Sequence, residues 1–402
     1  MSADAWKSLP TNTCHSCHAD APAGTFCGIC GTALVRRRGD GTTWLRLRTY
    51  AAAPKEHVLS LTLAGALFPR LPRRSRTAFA LGLIALAVLL VAFAVLRWQG
   101  PLIAISALGL PLLFLIYLNE SDTFTDLPAR TLALTAVVAV GLGVGWALFA
   151  GGLIARTYDD ALGMPLTVGE KLVSVVAIPA GEVFLMFGPV VLARLLRPRD
   201  SEALDGFAIG ALAALCFTSA GTFTRLAPQF ETGLVGSERP ITDFLITATI
   251  QGVAIPLTAA AVTGMVGTAL WFRPRADPDR RWLWYVFTTP APAVFVGLVA
   301  YIGIGWLDVS QIPDGIAACL YTLIALGAVL ALRFVLHSTL LHEVADDTAP
   351  DTAVLCPQCD HVVPDLAFCP NCGVAARAAS RSSRHARRAN RPVPATAAPE
   401  GR

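Results

Sequence analysis

Apolar residues in this chain come in long runs, eight of them near or above the roughly 20 residues a helix needs to cross a bilayer. The runs lie at Ala78–Trp98, Pro101–Leu118, Thr131–Ile154, Leu172–Leu196, Gly206–Leu226, Phe244–Phe272, Tyr285–Trp306 and Gly315–Leu336. The pattern predicts an all-α polytopic membrane protein of about eight transmembrane helices, with the helical domain over 78–337. Little more than Gln99-Gly100 parts the first two runs, so they should form a tight hairpin. The sixth run is over-long and contains Gly252 and Pro256, which predicts a kink, a tilt or a break. A shorter apolar stretch, Val58–Phe68, sits in the basic linker 35–77 and reads as an interfacial segment.

Composition agrees. Hydrophobic residues make up 54% and charged residues 15% of the 402 positions, against about a quarter charged in soluble domains. Mean hydropathy is +0.57. The first long apolar run starts near Ala78, so no cleavable leader is expected. The net charge of +4 decides little, but the placement of arginine is informative. Arg70, Arg73, Arg74 and Arg76 precede the first span, and the loops that would then be internal carry the larger share of arginine. The positive-inside rule places both termini in the cytoplasm of a bacterial inner membrane protein. The tail 376–402 is rich in Ala, Arg, Ser and Pro without apolar period, and is expected to be disordered. Its six arginines from Arg377 to Arg391 suit nucleic acid or anionic lipid, or else serve only as a positive flank.

Eight of the ten cysteines form two clusters of one design. Cys14-x2-Cys17 is followed after nine residues by Cys27-x2-Cys30, and Cys356-x2-Cys359 after nine residues by Cys369-x2-Cys372. Phe26 and Phe368 precede the third cysteine, and Gly31 and Gly373 follow the fourth. This internal repeat is split by the whole membrane domain. Both clusters resemble the short zinc ribbons that bacterial proteins often carry in pairs. Zinc takes four thiolates in a tetrahedron, and a two-residue gap lets one tight turn present two of them. The expectation is two structural zinc ions, in ribbons at 1–34 and 351–375, each covered on one side by its own phenylalanine. Two other readings compete. Disulfides are disfavoured in a reducing cytoplasm. Cys14-His15-Ser16-Cys17-His18 matches the c-type haem attachment pattern, but Asp360 replaces His18 in the second copy.

Within the spans, Glu182 stands mid-way along the fourth, where a charged acid costs about 2.5–3.5 kcal/mol. Such an acid is a candidate functional residue; the alternative is a protonated Glu182 bonded to Thr218, Ser219 or Thr222. Cys216 and Cys319 read as packed membrane cysteines.

The stretch Pro179-Ala180-Gly181-Glu182, with Arg194, Arg197, Asp205, Gly206, Gly210, Phe217 and Gly264, resembles the PrsW-type intramembrane metalloproteases over about 172–272. That resemblance implies a metal site made from a Glu-Glu pair, a Glu-Asn pair in the next span and a later histidine. In this chain the positions hold Gly181 and Glu182, then Gly221 and Thr222, then the neighbourhood of Pro256. None of the seven histidines falls in spans three to seven, and a catalytic zinc needs about three protein ligands. The reading is a non-catalytic, PrsW-like membrane protein whose ribbons bind a protein partner in a regulatory or adaptor role. Two alternatives remain open: an intramembrane metalloprotease with atypical ligands, and a transporter or channel using Glu182. Against the last, the spans show no second acid to form a relay.

Overall fold

The computed structural model describes residues 10–35, 49–53, 56, 62–161, 167–196, 202–230, 240–274, 290–310, 312–344 and 348–390. Among the described residues, eight helices are long and apolar enough to cross a membrane. They are α1 (Arg76–Val95), α2 (Gln99–Glu120), α3 (Ala129–Ala161), α4 (Val168–Leu196), α5 (Ala203–Phe230), α6 (Ile241–Trp271), α7 (Pro290–Val309) and α8 (Asp314–His342). The predicted spans agree with these to within a few residues, apart from the longer ends of α3 and α8. The start of the seventh predicted span, at Tyr285, lies outside the described residues.

α5 and α6 form the centre and are almost wholly buried, while α1, α7 and others turn Leu81, Ile84, Val88, Phe295 and Val299 outward. Helices in lipid gain little from hiding apolar side chains from one another, so close backbone approach by small residues drives their association. Here a Cβ on Gly206 would overlap the Gly267 carbonyl, and one on Gly210 would overlap that of Thr263. Gly206, Gly210 and Gly264 are thus the residues on which the two central helices cross.

Neither α4 nor α6 is broken at its proline. Each opens into a wider π turn just upstream, Val173–Ala177 before Pro179 and Ile250–Ala254 before Pro256. A proline lacks the N–H and crowds the carbonyl four residues back, and a wider turn accommodates both. The carbonyls of Ser174 and Val175 face Gly305 of α7, where a side chain would obstruct the approach.

The linker and the tail depart from expectation. Leu63–Leu67 is a short helix, but the following Phe68 is fully buried against Phe79, Phe114 and Tyr117 rather than lying at an interface. Residues 58–61 of that stretch lie outside the described residues. Arg70, counted among the arginines that precede the first span, is buried at 5% exposed. The tail, read as disordered, carries a helix at Arg381–Ala389. Ser380 caps it through the Ser383 N–H, and Asp126, from the short helix Thr123–Asp126, accepts the N–H groups of Arg381 and Ser382 at 2.6 and 2.9 Å. Acids at a helix N-terminus complement its dipole. Residues 391–402 lie outside the described residues.

Candidate metal centres and an intramembrane cavity

Each cysteine cluster is held by a small antiparallel hairpin, β1 (Thr11–Thr13) with β2 (Asp20–Pro22) and β3 (Ala349–Leu355) with β4 (Val362–Asp365). The knuckles repeat bond for bond. His18 N–H donates to the Cys14 carbonyl and Asp360 N–H to that of Cys356, and both residues are left-handed, at φ 56° and 55°. His18 is therefore one of two equivalent turn residues. Gly31 and Gly373 close the second knuckles at φ +72° and +73°, donating to Cys27 and Cys369. That conformation costs glycine nothing.

The thiols converge. In the first cluster Cys14 and Cys30 Sγ are 3.6 Å apart and Cys17 and Cys27 3.8 Å; in the second, Cys356 and Cys372 are 3.7 Å and Cys359 and Cys369 3.8 Å apart. A tetrahedron with arms of 2.3 Å has edges of about 3.8 Å, whereas a disulfide closes to about 2.05 Å. All four sulfur atoms of each set lie within 4.8 Å of one another, so both sets can hold a metal ion. The donor set, the edge lengths and the closed coordination fit a structural four-thiolate site.

The two ribbons pack on each other with local two-fold symmetry. Phe26 N–H donates to the Pro370 carbonyl and Phe368 N–H to that of Gly28, both at 2.9 Å. Each phenylalanine lies over the glycine of the other copy, Phe368 on Gly31 and Phe26 on Gly373. Leu366 sits on Gly28 and Pro370 on Gly24, again at equivalent positions. The rings therefore cross over, where each was expected to cover its own site. This contact places both ribbons at one end of the bundle.

A buried charge cluster fastens the pair to the membrane domain. Glu202 and Asp205 open α5, Glu343 follows α8, and Arg70, Arg377, Arg381 and Arg384 converge on them. Arg70 lies 2.6 Å from Asp205 and 3.6 Å from Glu202, and Arg377 lies 3.3 Å from Glu343. Arg384 grips both oxygens of Glu202, and Arg381 lies 3.8 Å from Asp205. Arg388 returns to Asp365 of the second ribbon at 2.6 Å. Burial disfavours the charged form of Arg70, yet Asp205 and Glu202 outweigh it and hold its pKa above the ordinary value. Burial pushes Glu343 up to about 7, against the pull of Arg377 and the Ala203 N–H. Backbone joins in as well, Ala375 N–H donating to the Ala51 carbonyl at 2.7 Å.

Glu182 lies mid-way along α4. It lines a cavity of about 490 Å³ whose walls come from α3 to α8 and which extends to Ser310 and Ile312, at the α7–α8 connection opposite the ribbon end. Two of the expected hydroxyl partners are engaged elsewhere: Thr218 donates to the Ala214 carbonyl and Thr222 to Gln251. The neighbour of Glu182 is Arg225, at 3.9 Å. A second acid is present after all. Asp308 lines the same cavity and accepts a hydrogen bond from the Tyr321 hydroxyl. It stands two residues beyond the end predicted for the seventh span, and an acid close to a span end was the signal available for it. Cys216 is half-buried against the core, as expected, but Cys319 is exposed on the outer face of α8.

Searches of protein-family models, curated proteins and solved structures returned no match to this chain.

Proposed function

We propose that this multi-pass protein is a non-catalytic, PrsW-like membrane protein whose two ribbons, each holding zinc, form one protein-binding module on the cytoplasmic face. The observation that carries this reading is the reciprocal packing of the ribbons. It turns two modules of about 25 residues, each too small to bury a core without its metal, into a single body fixed to the bundle. The hairpin of the first ribbon remains exposed at Thr11–Thr13. Thiolate sites persist in a reducing compartment, which supports a cytoplasmic position for this end.

The non-catalytic reading rests on the neighbour of Glu182. A guanidinium 3.9 Å from the carboxylate opposes a metal dication at that oxygen. Among the described residues, the two cysteine sets are the groups of three or more ligands that converge on one point. Metal-assisted hydrolysis needs a held metal and a base beside its water.

The test is metal content read together with cleavage. The purified full-length protein should carry two zinc ions per chain, and replacing Cys17 and Cys359 together should abolish zinc binding. A third ion that survives the double replacement would overturn the reading, provided a membrane-protein substrate is then cut and cutting is lost in Glu182→Gln.

A further inference from the structure

We propose that the intramembrane cavity is a binding site for a small organic cation, an amine that also carries a hydrogen-bond acceptor such as a hydroxyl oxygen. Three features of the site lead there.

The first is charge. Glu182, Asp308 and Asp314 bring three carboxylates to the cavity and Arg225 one guanidinium. Arg225 faces Glu182 and is further held by its Nε donating to the Gly221 carbonyl at 3.3 Å. Asp308 takes the Tyr321 hydroxyl, and among the described residues no arginine or lysine pairs with it within 4 Å. Three carboxylates against one guanidinium leave the cavity with an excess of negative charge, which draws in a cation. A ligand cation at Asp308 offsets that excess.

The second feature is the wall. Tyr301, Tyr321 and Trp146 border the same space as the carboxylates. Aromatic faces beside acids suit an organic cation with an apolar body better than a bare metal ion. The Nε1–H of Trp146 is buried and has no hydrogen-bond partner. Buried polar groups are rarely left in that state, and since Trp146 borders the cavity, an acceptor atom on whatever fills it is the partner the site offers. The volume of about 490 Å³ lies inside the range of small-molecule sites.

The third is the scaffold. Both π turns border this one cavity, through Ser174 on α4 and Ile250 and Gln251 on α6. Such turns inside membrane-length helices recur at functional sites because they redirect side chains and loosen carbonyls from the helical ladder. A phospholipid headgroup could supply an amine, but its phosphodiester would bring a negative charge into a site already short of positive charge. The inference is therefore a free amine entering from the end away from the ribbons.

The experiment is isothermal titration of the full-length protein in detergent with 2-amino-1-phenylethanol, beside the neutral 1-phenylethane-1,2-diol and the anionic mandelate. These three differ mainly in charge. The amine should bind saturably, and the diol and mandelate at least about tenfold more weakly. Asp308→Asn keeps the shape of the side chain and the Tyr321 contact; it should weaken the amine by at least about tenfold and leave the diol unchanged. Trp146→Phe should bring the hydroxylated amine down to the affinity of 2-phenylethylamine, which serves as a second reading if Asp308→Asn fails to fold. No saturation by the amine up to about 10 mM would overturn the proposal, as would equal binding of the diol or indifference to both substitutions.

Discussion

Replacing Gly31 by alanine tests the crossed packing of the ribbons, because its cost should reside largely in the other ribbon. Gly31 is left-handed at φ +72°, so alanine there costs about 1–2 kcal/mol by backbone strain alone. Its Cβ would also stand 2.8–3.1 Å from three ring atoms of Phe368, closer than real carbon contacts, and overpacking of this kind costs about 1–3 kcal/mol. Together the two effects amount to about 3 kcal/mol, or about a hundredfold in the apparent zinc affinity to which ribbon folding is coupled. Chelator competition with a metallochromic dye on the purified protein reads this directly. In a Phe368→Ala background the strain remains and the clash goes, so Gly31→Ala should cost only about 1–2 kcal/mol there. The mirror pair, Gly373→Ala with and without Phe26→Ala, should behave alike. Strict additivity in both cycles would refute the reasoning, since it would mean that ring and glycine do not touch.

The charge cluster yields two further predictions. Arg384→Met leaves Glu202 with Arg70 at 3.6 Å and Arg377 at 3.9 Å, so the loss should fall at or below the lower end of the about 3–5 kcal/mol typical of a broken buried pair; it should appear as trypsin cleavage within the tail helix, and unchanged protection would count against the docking. Glu343, with a folded pKa of about 7 against an ordinary 4.5, binds its proton more tightly when folded, so its contribution is full below pH 4.5 and is lost as pH rises through 7. Between pH 6 and 8 stability should drop by about 1 kcal/mol, followed by thermal unfolding at each pH, and Glu343→Gln should remove that slope; a slope that persists in the variant assigns it to another group.

The parts legible in the sequence were those whose physics is local. A run of about 20 apolar residues has few fates, and the repeated cysteine spacing fixes four thiols around one point whatever surrounds it. The tail helix was illegible for the opposite reason. Arg381–Ala389 has no apolar stripe, and its order comes from Asp126, Glu202, Asp205 and Asp365, all distant in sequence. The partner of Arg70 was illegible in the same way, since Asp205 lies on α5, 135 residues away in sequence. Glu182 could be picked out as an isolated acid, but its setting depends on Arg225 and Asp308, each near the end of another helix, where charge is ordinary. The crossing of Phe26 and Phe368 needs the two copies in contact, which no spacing within either copy specifies.

The ribbon pair also tests parity. One half is made before, and the other after, the eight membrane-length helices described between them. They meet only if the number of crossings completed is even. A chain that fails to insert one helix, or inserts one too many, leaves its second ribbon across a hydrocarbon layer of about 30 Å from the first. Gly31 and the Phe26 ring then stay uncovered, and Glu202 and Asp205 lose the arginines of the tail. Correct threading is thus recorded at one spot on the finished molecule, and a mis-threaded copy presents unpaired acids and bare aromatic surface of the kind that proteolytic surveillance removes.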